Sequence, residues 1–185
     1  MKKRLIIFDC FGVIFGEVAP VFLGKHLPKN KVSSVKEKLF APADLGTVTY
    51  DRLLSNMATE LGLEMPELLK EWNSLIILNE EIVPIIKHLK ETADIALLSN
   101  APLGLVERLF DEYSLTQLFD TMVVSCNIGL AKPDERIYRH CVNTLGKNYD
   151  EIYMIDDSPA NLEPLPQLGI KPIHYKGISS LDALM

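Results

Sequence analysis

Polar residues stand where apolar runs stop: Asp9 after "LIIF", Ser99 and Asn100 after "IALL", and Asp156 and Asp157 after "IYMI", with Lys132 in the segment "AKPDERIY". Each has an ordinary structural explanation. A Ser-Asn pair is common in turns and caps, Pro133 followed by acids opens a helix, and "DDSPANL" is a capped helix entry. Together they suggest something more specific. Three carboxylates gathered in one crevice repel one another, and a divalent cation relieves the repulsion. Magnesium takes oxygen ligands in octahedral geometry and bridges carboxylates to a phosphate. Lys132 adds positive charge, and the Ser99 hydroxyl with nearby backbone N–H groups can hold phosphate oxygens. With the metal present, Asp9 is a nucleophile for phosphorus, and metal and lysine stabilise the transferring phosphoryl group.

For that chemistry the four elements must converge. "LIIF", "IALL", "MVV" before Ser125 and "IYMI" are short apolar runs of strand length. Between the later ones, "EEIVPIIKHLKE" and "DERIYRHCVNTLG" repeat apolar residues at helical spacing, with Ile137, Cys141, Val142 and Leu145 on one face. This alternation predicts an α/β protein with a parallel sheet flanked by helices. Ligands of such sheets bind outside the carboxyl ends of the strands, where Asp9, Ser99 and Asp156 fall. Residues 16–79 break the alternation with helical patterns such as "DRLLSNMATELGL" and "PELLKEWNSLIIL". Roughly 65 such residues are too many for a simple crossover. They predict a small helical subdomain inserted above the strand ends, with residues 1–15 and 80–185 forming the core. A long crossover packed on the sheet is the alternative.

The order of "FDCFGV", "LLSN", "KPDERIY" and "MIDDSPANL" resembles the haloacid dehalogenase-like hydrolases, mostly magnesium-dependent phosphatases, from residue 4 to about 175. The resemblance implies a Rossmann-like core in which Asp9 is the aspartyl nucleophile and Lys132 steadies nucleophile and phosphate. Ser99 and Asn100 would lie at the phosphate. Mg2+ would be held by Asp9, the Phe11 backbone carbonyl and Asp157, with Asp156 beside it. An all-helical cap after the first motif is also a trait of the family. The activity implied is phosphate release from a small phosphorylated metabolite through an aspartyl-phosphate.

Phe11 departs from that pattern. Phosphatases of the family usually carry a second Asp two residues after the nucleophile, which protonates the leaving group and then activates water. Phe11 can do neither, so a strong dependence on leaving group is expected unless Glu17 or another acid substitutes. An aromatic residue at this place also resembles the 2-haloacid dehalogenases. Those enzymes use a serine- and asparagine-rich fourth motif and a halide-holding arginine in the cap, where this chain offers Arg52. A catalytically weak or silent protein that binds a phospho-ligand or a partner is the further alternative. Receiver domains of response regulators place their acidic pair first, whereas here the pair comes last.

Composition narrows the partners. Twenty-five acids against 19 bases give a net charge of −6, so no general attraction to nucleic acid or anionic membrane is expected. A phosphate ligand must be held locally. A chain of 185 residues suffices for one core and a small accessory domain, and a monomer is compatible with it. Cys10, Cys126 and Cys141 are odd in number and widely spaced, which suits reduced thiols in the cytoplasm. "MKKRLIIF" imitates a secretory leader, but Asp9 and Glu17 interrupt the apolar stretch and no cleavage site follows. The four histidines lack metal-ligand spacing, and no GxxxxGK[ST] loop occurs. Trp72 and Tyr50 suit either a cap core or a pocket wall.

Overall fold

The computed structural model describes residues 3–185. Strand β1 (Arg4–Phe8) is followed by four helices, α1 (Ala19–His26), α2 (Lys29–Asp44), α3 (Tyr50–Leu61) and α4 (Met65–Leu75). The chain then returns through α5 (Ile82–Lys90), β2 (Asp94–Ser99), α6 (Leu105–Glu112), β3 (Thr121–Val124) and α7 (Ser125–Ile128). It closes with α8 (Glu135–Thr144), β4 (Glu151–Asp156), α9 (Pro159–Leu162) and β5 (Lys171–His174). All strand pairs are parallel, in the order β3-β2-β1-β4-β5.

The unbroken apolar character of β1 and β2 follows from burial of both faces. Ile6, Phe8, Ile95 and Leu97 pack on the α5 and α6 side. Leu5, Ile7, Ala96 and Leu98 pack on the opposite side against Ile137, Tyr138 and Cys141 of α8. Successive strand residues point to opposite faces, so only an all-apolar run satisfies both layers. Phe8 pairs with Leu97 on one side and with Ile155 on the other. That register brings Asp9, Ser99 and Asp156 out of the sheet at one edge, where the strand order reverses around β1.

Helices α1–α4 share a core of their own, built from Phe22, Leu39, Phe40, Leu53, Met57 and Trp72. Trp72 meets Phe22 edge-on at 5.4 Å and stacks on Phe40 at 5.9 Å, and its indole N–H donates to the Tyr50 hydroxyl at 2.8 Å. Helix α5, in contrast, buries Ile82, Ile86 and Leu89 against the sheet. The helical pattern "PELLKEWNSLIIL" ends early, because α4 stops at Leu75. The next residues are recruited by the returning chain: Gly16 N–H donates to the Ile77 carbonyl at 2.9 Å, and Phe15 and Leu78 form an antiparallel bridge. Strand β5 was not expected from the sequence. Its "KPIH" is mostly exposed and contains Pro172, so it lacks the apolar signature and is tolerated at a sheet edge.

The insertion docks on the core through Gly46, just beyond α2. Gly46 has φ +73°, and a Cβ there would strike the Cys126 carbonyl of α7. Gly46→Ala therefore meets both backbone strain of about 1–2 kcal/mol and a clash with the core. The expected result is a lower melting temperature, because the helical insertion can no longer seat. A thermal melt checks this.

Candidate active site

Asp9 begins where β1 ends, and its N–H continues the ladder to the Ile155 carbonyl at 2.9 Å. One carboxylate oxygen, Oδ1, accepts from the Cys10 N–H at 2.6 Å and from Lys132 Nζ at 2.8 Å. No hydrogen bond to Oδ2 is formed among the described residues. Lys132 Nζ also donates to Asp156 Oδ2 at 2.6 Å, so the ammonium sits buried between two carboxylates. Asp156 is wholly buried and further accepts from the Ser158 N–H at 2.9 Å and from Asn161 Nδ2 at 3.0 and 3.1 Å. These four contacts fix its orientation. Asp157 faces the cavity, and its carboxyl is hydrogen-bonded only to its own backbone N–H among the described residues. Oxygens of Asp9, Asp156 and Asp157 lie within 4.8 Å of one another.

The charge balance of this cluster is negative. Burial pushes the Asp9 carboxyl up to about 7; Lys132 pulls against that rise and Asp156 adds to it. Burial likewise raises Asp157, with Asp156 and Glu17 contributing. Burial works against the Lys132 charge, but Asp9 and Asp156 outweigh it and hold the ammonium above the ordinary lysine value. One lysine against three carboxylates leaves a deficit of positive charge that a hard divalent cation would fill. The available donors are all oxygens. The Phe11 carbonyl accepts no hydrogen bond among the described residues, and Gly12 lets this loop lie against Asp157. At φ +88°, Gly12 has no Cβ, which would otherwise land on the Asp157 carboxylate.

Each residue singled out in the sequence has a definite place. The Asn100 amide bonds both the Lys132 N–H, at 2.8 Å, and the Lys132 carbonyl, at 2.9 Å. It thus clamps the lysine segment and also reaches the cavity wall. Ser99 is wholly buried at the end of β2, with Oγ lacking a hydrogen bond and lying beside the Cys10 sulfur. Phe11 lines the cavity, and its ring packs on both the sheet core and the helical core. Glu17 is exposed at the cavity rim, Trp72 lines the cavity as well as the helical core, and Tyr50 is not on the wall. Arg52 is exposed and away from the cavity.

Sequence reasoning missed several supporting residues. Asn161 lies inside a quoted motif, five residues after Asp156, and holds both its oxygens. Asn79 pins the loop after Asp9, donating to the Val13 carbonyl at 3.1 Å and to the Tyr175 hydroxyl at 2.8 Å; no local signal marks it. The cavity measures about 490 Å³. Its floor carries Asp9, Phe11, Lys132 and Asp157, and its roof, from the helical insertion, carries Lys36, Phe40, Asp44 and Trp72. Lys36 and Asp44 were likewise unmarked in the sequence.

This geometry can be set against known proteins. The family profile described as haloacid dehalogenase-like hydrolase matches residues 3–169. The chain belongs to this family. As a haloacid dehalogenase-like hydrolase it has the expected parallel sheet and the expected helical cap inserted after the first motif. It is 28% identical over 132 residues to the GMP/IMP nucleotidase YrfG of Escherichia coli strain K12, covering 70% of this chain and 58% of that protein. It is 33% identical over 66 residues to bifunctional epoxide hydrolase 2 of Rattus norvegicus, covering 36% of this chain and 12% of that protein. The match therefore spans only a small part of the epoxide hydrolase and less than two thirds of the nucleotidase. Among solved structures, a HAD family enzyme from Bacteroides thetaiotaomicron in a magnesium complex superposes with a TM-score of 0.75 at 18% identity, covering 98% and 96% of the two chains. A structure described as a dehalogenase reaches 0.69 at 17% identity, covering 95% and 86%. Both share the fold of this hydrolase. Among the described residues no helix is long and apolar enough to cross a membrane.

Proposed function

We propose that this hydrolase is a magnesium-dependent phosphatase for a small phosphorylated metabolite, working through an aspartyl-phosphate on Asp9. The observation that carries the reading is the state of Asp9: one oxygen tied to the Cys10 N–H and to Lys132, the other without a hydrogen bond, in a cavity shared with Asp157. Mg2+ would be held by Asp9, Asp157 and the Phe11 carbonyl, with Asp156 beside it, and would neutralise charge on the transferring phosphoryl oxygens. Lys132 keeps its proton, holds Asp9 in one rotamer and offsets negative charge as the phosphoryl group arrives. Asn100 fixes Lys132 through its backbone and stands on the cavity wall, whereas the Ser99 hydroxyl is buried beside the Cys10 sulfur and off that wall, so Asn100 is the better placed of the two toward a phosphate. The cap roof shapes the substrate site. Relatives support this reading: one is named as a nucleotidase, and the Bacteroides enzyme has been solved with magnesium and inorganic phosphate.

The dehalogenase reading draws on Phe11, since a departing halide needs no proton. Against it stand the acidic pair and a cavity without an arginine on its described walls. Purified chain given p-nitrophenyl phosphate is expected to release nitrophenol with Mg2+ and to stop when a chelator is added. Activity indifferent to chelator, or chloride release from a 2-haloacid without phosphate release, would contradict the proposal.

A further inference from the structure

We propose that Asp44, carried by the cap, is the proton donor and acceptor that the chain lacks at position 11. The inference rests on the phosphatase reading and adds the residue that completes its proton transfers. In-line displacement puts the leaving oxygen on the side of phosphorus opposite the nucleophile. Asp9 forms the floor of the cavity, so the leaving group is directed at the cap. Position 11 offers an aromatic ring. On the roof, Asp44 is half-buried, lines the cavity and has no hydrogen bond or ion pair among the described residues.

Helix stability does not explain an acid at this place. Asp44 is the last residue of α2, where the carbonyl end of the helix disfavours negative charge. Its position over the site is set by Gly46, seated on the Cys126 carbonyl two residues later. The charged and titratable groups around Asp44 are Lys36 on its own helix, Lys132 from the segment before α8, and the Cys126 thiol on α7. Glu17, Asp9 and Asp157 line the same cavity. Burial pushes the Asp44 carboxyl up to about 6, against the pull of Lys36 and Lys132, so both protonation states are accessible near neutrality. Glu17, the other cap-side acid, is exposed.

In the first half-reaction an Asp9 oxygen forms a bond to phosphorus, the ester P–O bond breaks, and the Asp44 proton passes to the departing oxygen. In the second, the Asp44 carboxylate takes a proton from water as the water oxygen attacks phosphorus. The bond to Asp9 breaks, inorganic phosphate leaves, and Asp44 is protonated again. The sum is one ester and one water giving one alcohol and one phosphate. With Asp44 acting, the leaving-group dependence expected from Phe11 is shallow in the natural protein and becomes steep once Asp44 is removed.

The test compares glycerol 2-phosphate, whose alkoxide needs a proton to depart, with p-nitrophenyl phosphate, whose phenolate does not, both with Mg2+. Asp44→Asn is expected to lower kcat/KM for the alkyl ester about 10²-fold more than for the aryl ester. A burst of nitrophenol should also appear, because water activation is slowed. Asp44→Glu should restore part of the alkyl rate. In the natural protein the alkyl-to-aryl ratio of kcat/KM should fall as pH rises above about 6, and in Asp44→Asn it should be flat. An equal loss on both esters, no loss on either, or the selective loss appearing in Glu17→Gln instead would overturn the assignment. A natural protein that hydrolyses neither ester would overturn the phosphatase reading itself, and the assignment with it.

Discussion

Asp9→Asn is expected to lower phosphate release at least about 10⁴-fold at saturating Mg2+ with the fold intact. The amide has the size of the carboxylate, and its oxygen can still accept from the Cys10 N–H and from Lys132, which now bind Oδ1 at 2.6 and 2.8 Å. What disappears, on the proposed mechanism, is the nucleophile and one charge for the metal. The same change should stabilise the metal-free protein. Burial holds the Asp9 carboxyl at about 7 against an ordinary 3.8, so the folded state binds its proton more tightly than the unfolded state does. Stability contributed by that proton is full below about 4 and is lost as pH rises through about 7. At pH 8 without Mg2+, Asp9→Asn should therefore melt higher than the natural protein, and at pH 4 the difference should shrink. Enzyme that keeps its activity, or a variant that melts lower at pH 8, would count against the assigned environment.

Lys132→Met should damage both stability and turnover. The ammonium is wedged between Asp9 and Asp156 at 2.8 and 2.6 Å with its side chain only 1% exposed. Removing one member of a buried ion group leaves uncompensated charge and costs about 3–5 kcal/mol. Asp156 bears most of this, because it is fully buried and keeps only the Ser158 N–H and the Asn161 amide as donors. Turnover should fall at least about 10²-fold, because the charge proposed to steady the nucleophile and phosphoryl group is lost. Adding Asp156→Asn removes the orphaned charge and should recover part of the stability while leaving turnover low. A double-mutant cycle by chemical denaturation measures the coupling. Additive losses would show that lysine and aspartate act independently, contrary to the geometry.

What was legible in the sequence was the framework of the site. β1 and β2 announce themselves because strands buried on both faces must be apolar throughout, and β3 and β4 show the same apolar run over their buried ends; the polar stops of β1, β2 and β4 mark the edge of the candidate site. Lys132 and Asp156 were visible as residue types in ordered motifs, and the insertion was visible because helical periodicity ran on where a strand was due. Other features depend on tertiary contacts that leave no local trace. β5 is an exposed edge strand with a proline. Residues 76–78 look helical until the returning chain pairs with them. Asn79 is one asparagine in a turn, yet it ties the loop after Asp9 to Tyr175. Lys36 and Asp44 occupy one face of a polar helix, and only the docking of the cap at Gly46 gives them a cavity to face.

Phe11 is explained in part by the same architecture. Its ring packs on both hydrophobic cores, at the joint between sheet and cap, so the side chain serves the junction while its backbone carbonyl remains open to a ligand. An acid at this position would have to reach out of that apolar joint.

The proposed bond between phosphorus and Asp9 can be trapped. The protein is mixed with p-nitrophenyl phosphate and Mg2+, quenched in acid, reduced with borohydride and mapped by peptide mass spectrometry. An aspartyl-phosphate is reduced to homoserine, so homoserine is expected at position 9, dependent on both substrate and Mg2+. Turnover of the same substrate with Asp9 unmodified, or with the reduced residue elsewhere in the chain, would contradict it.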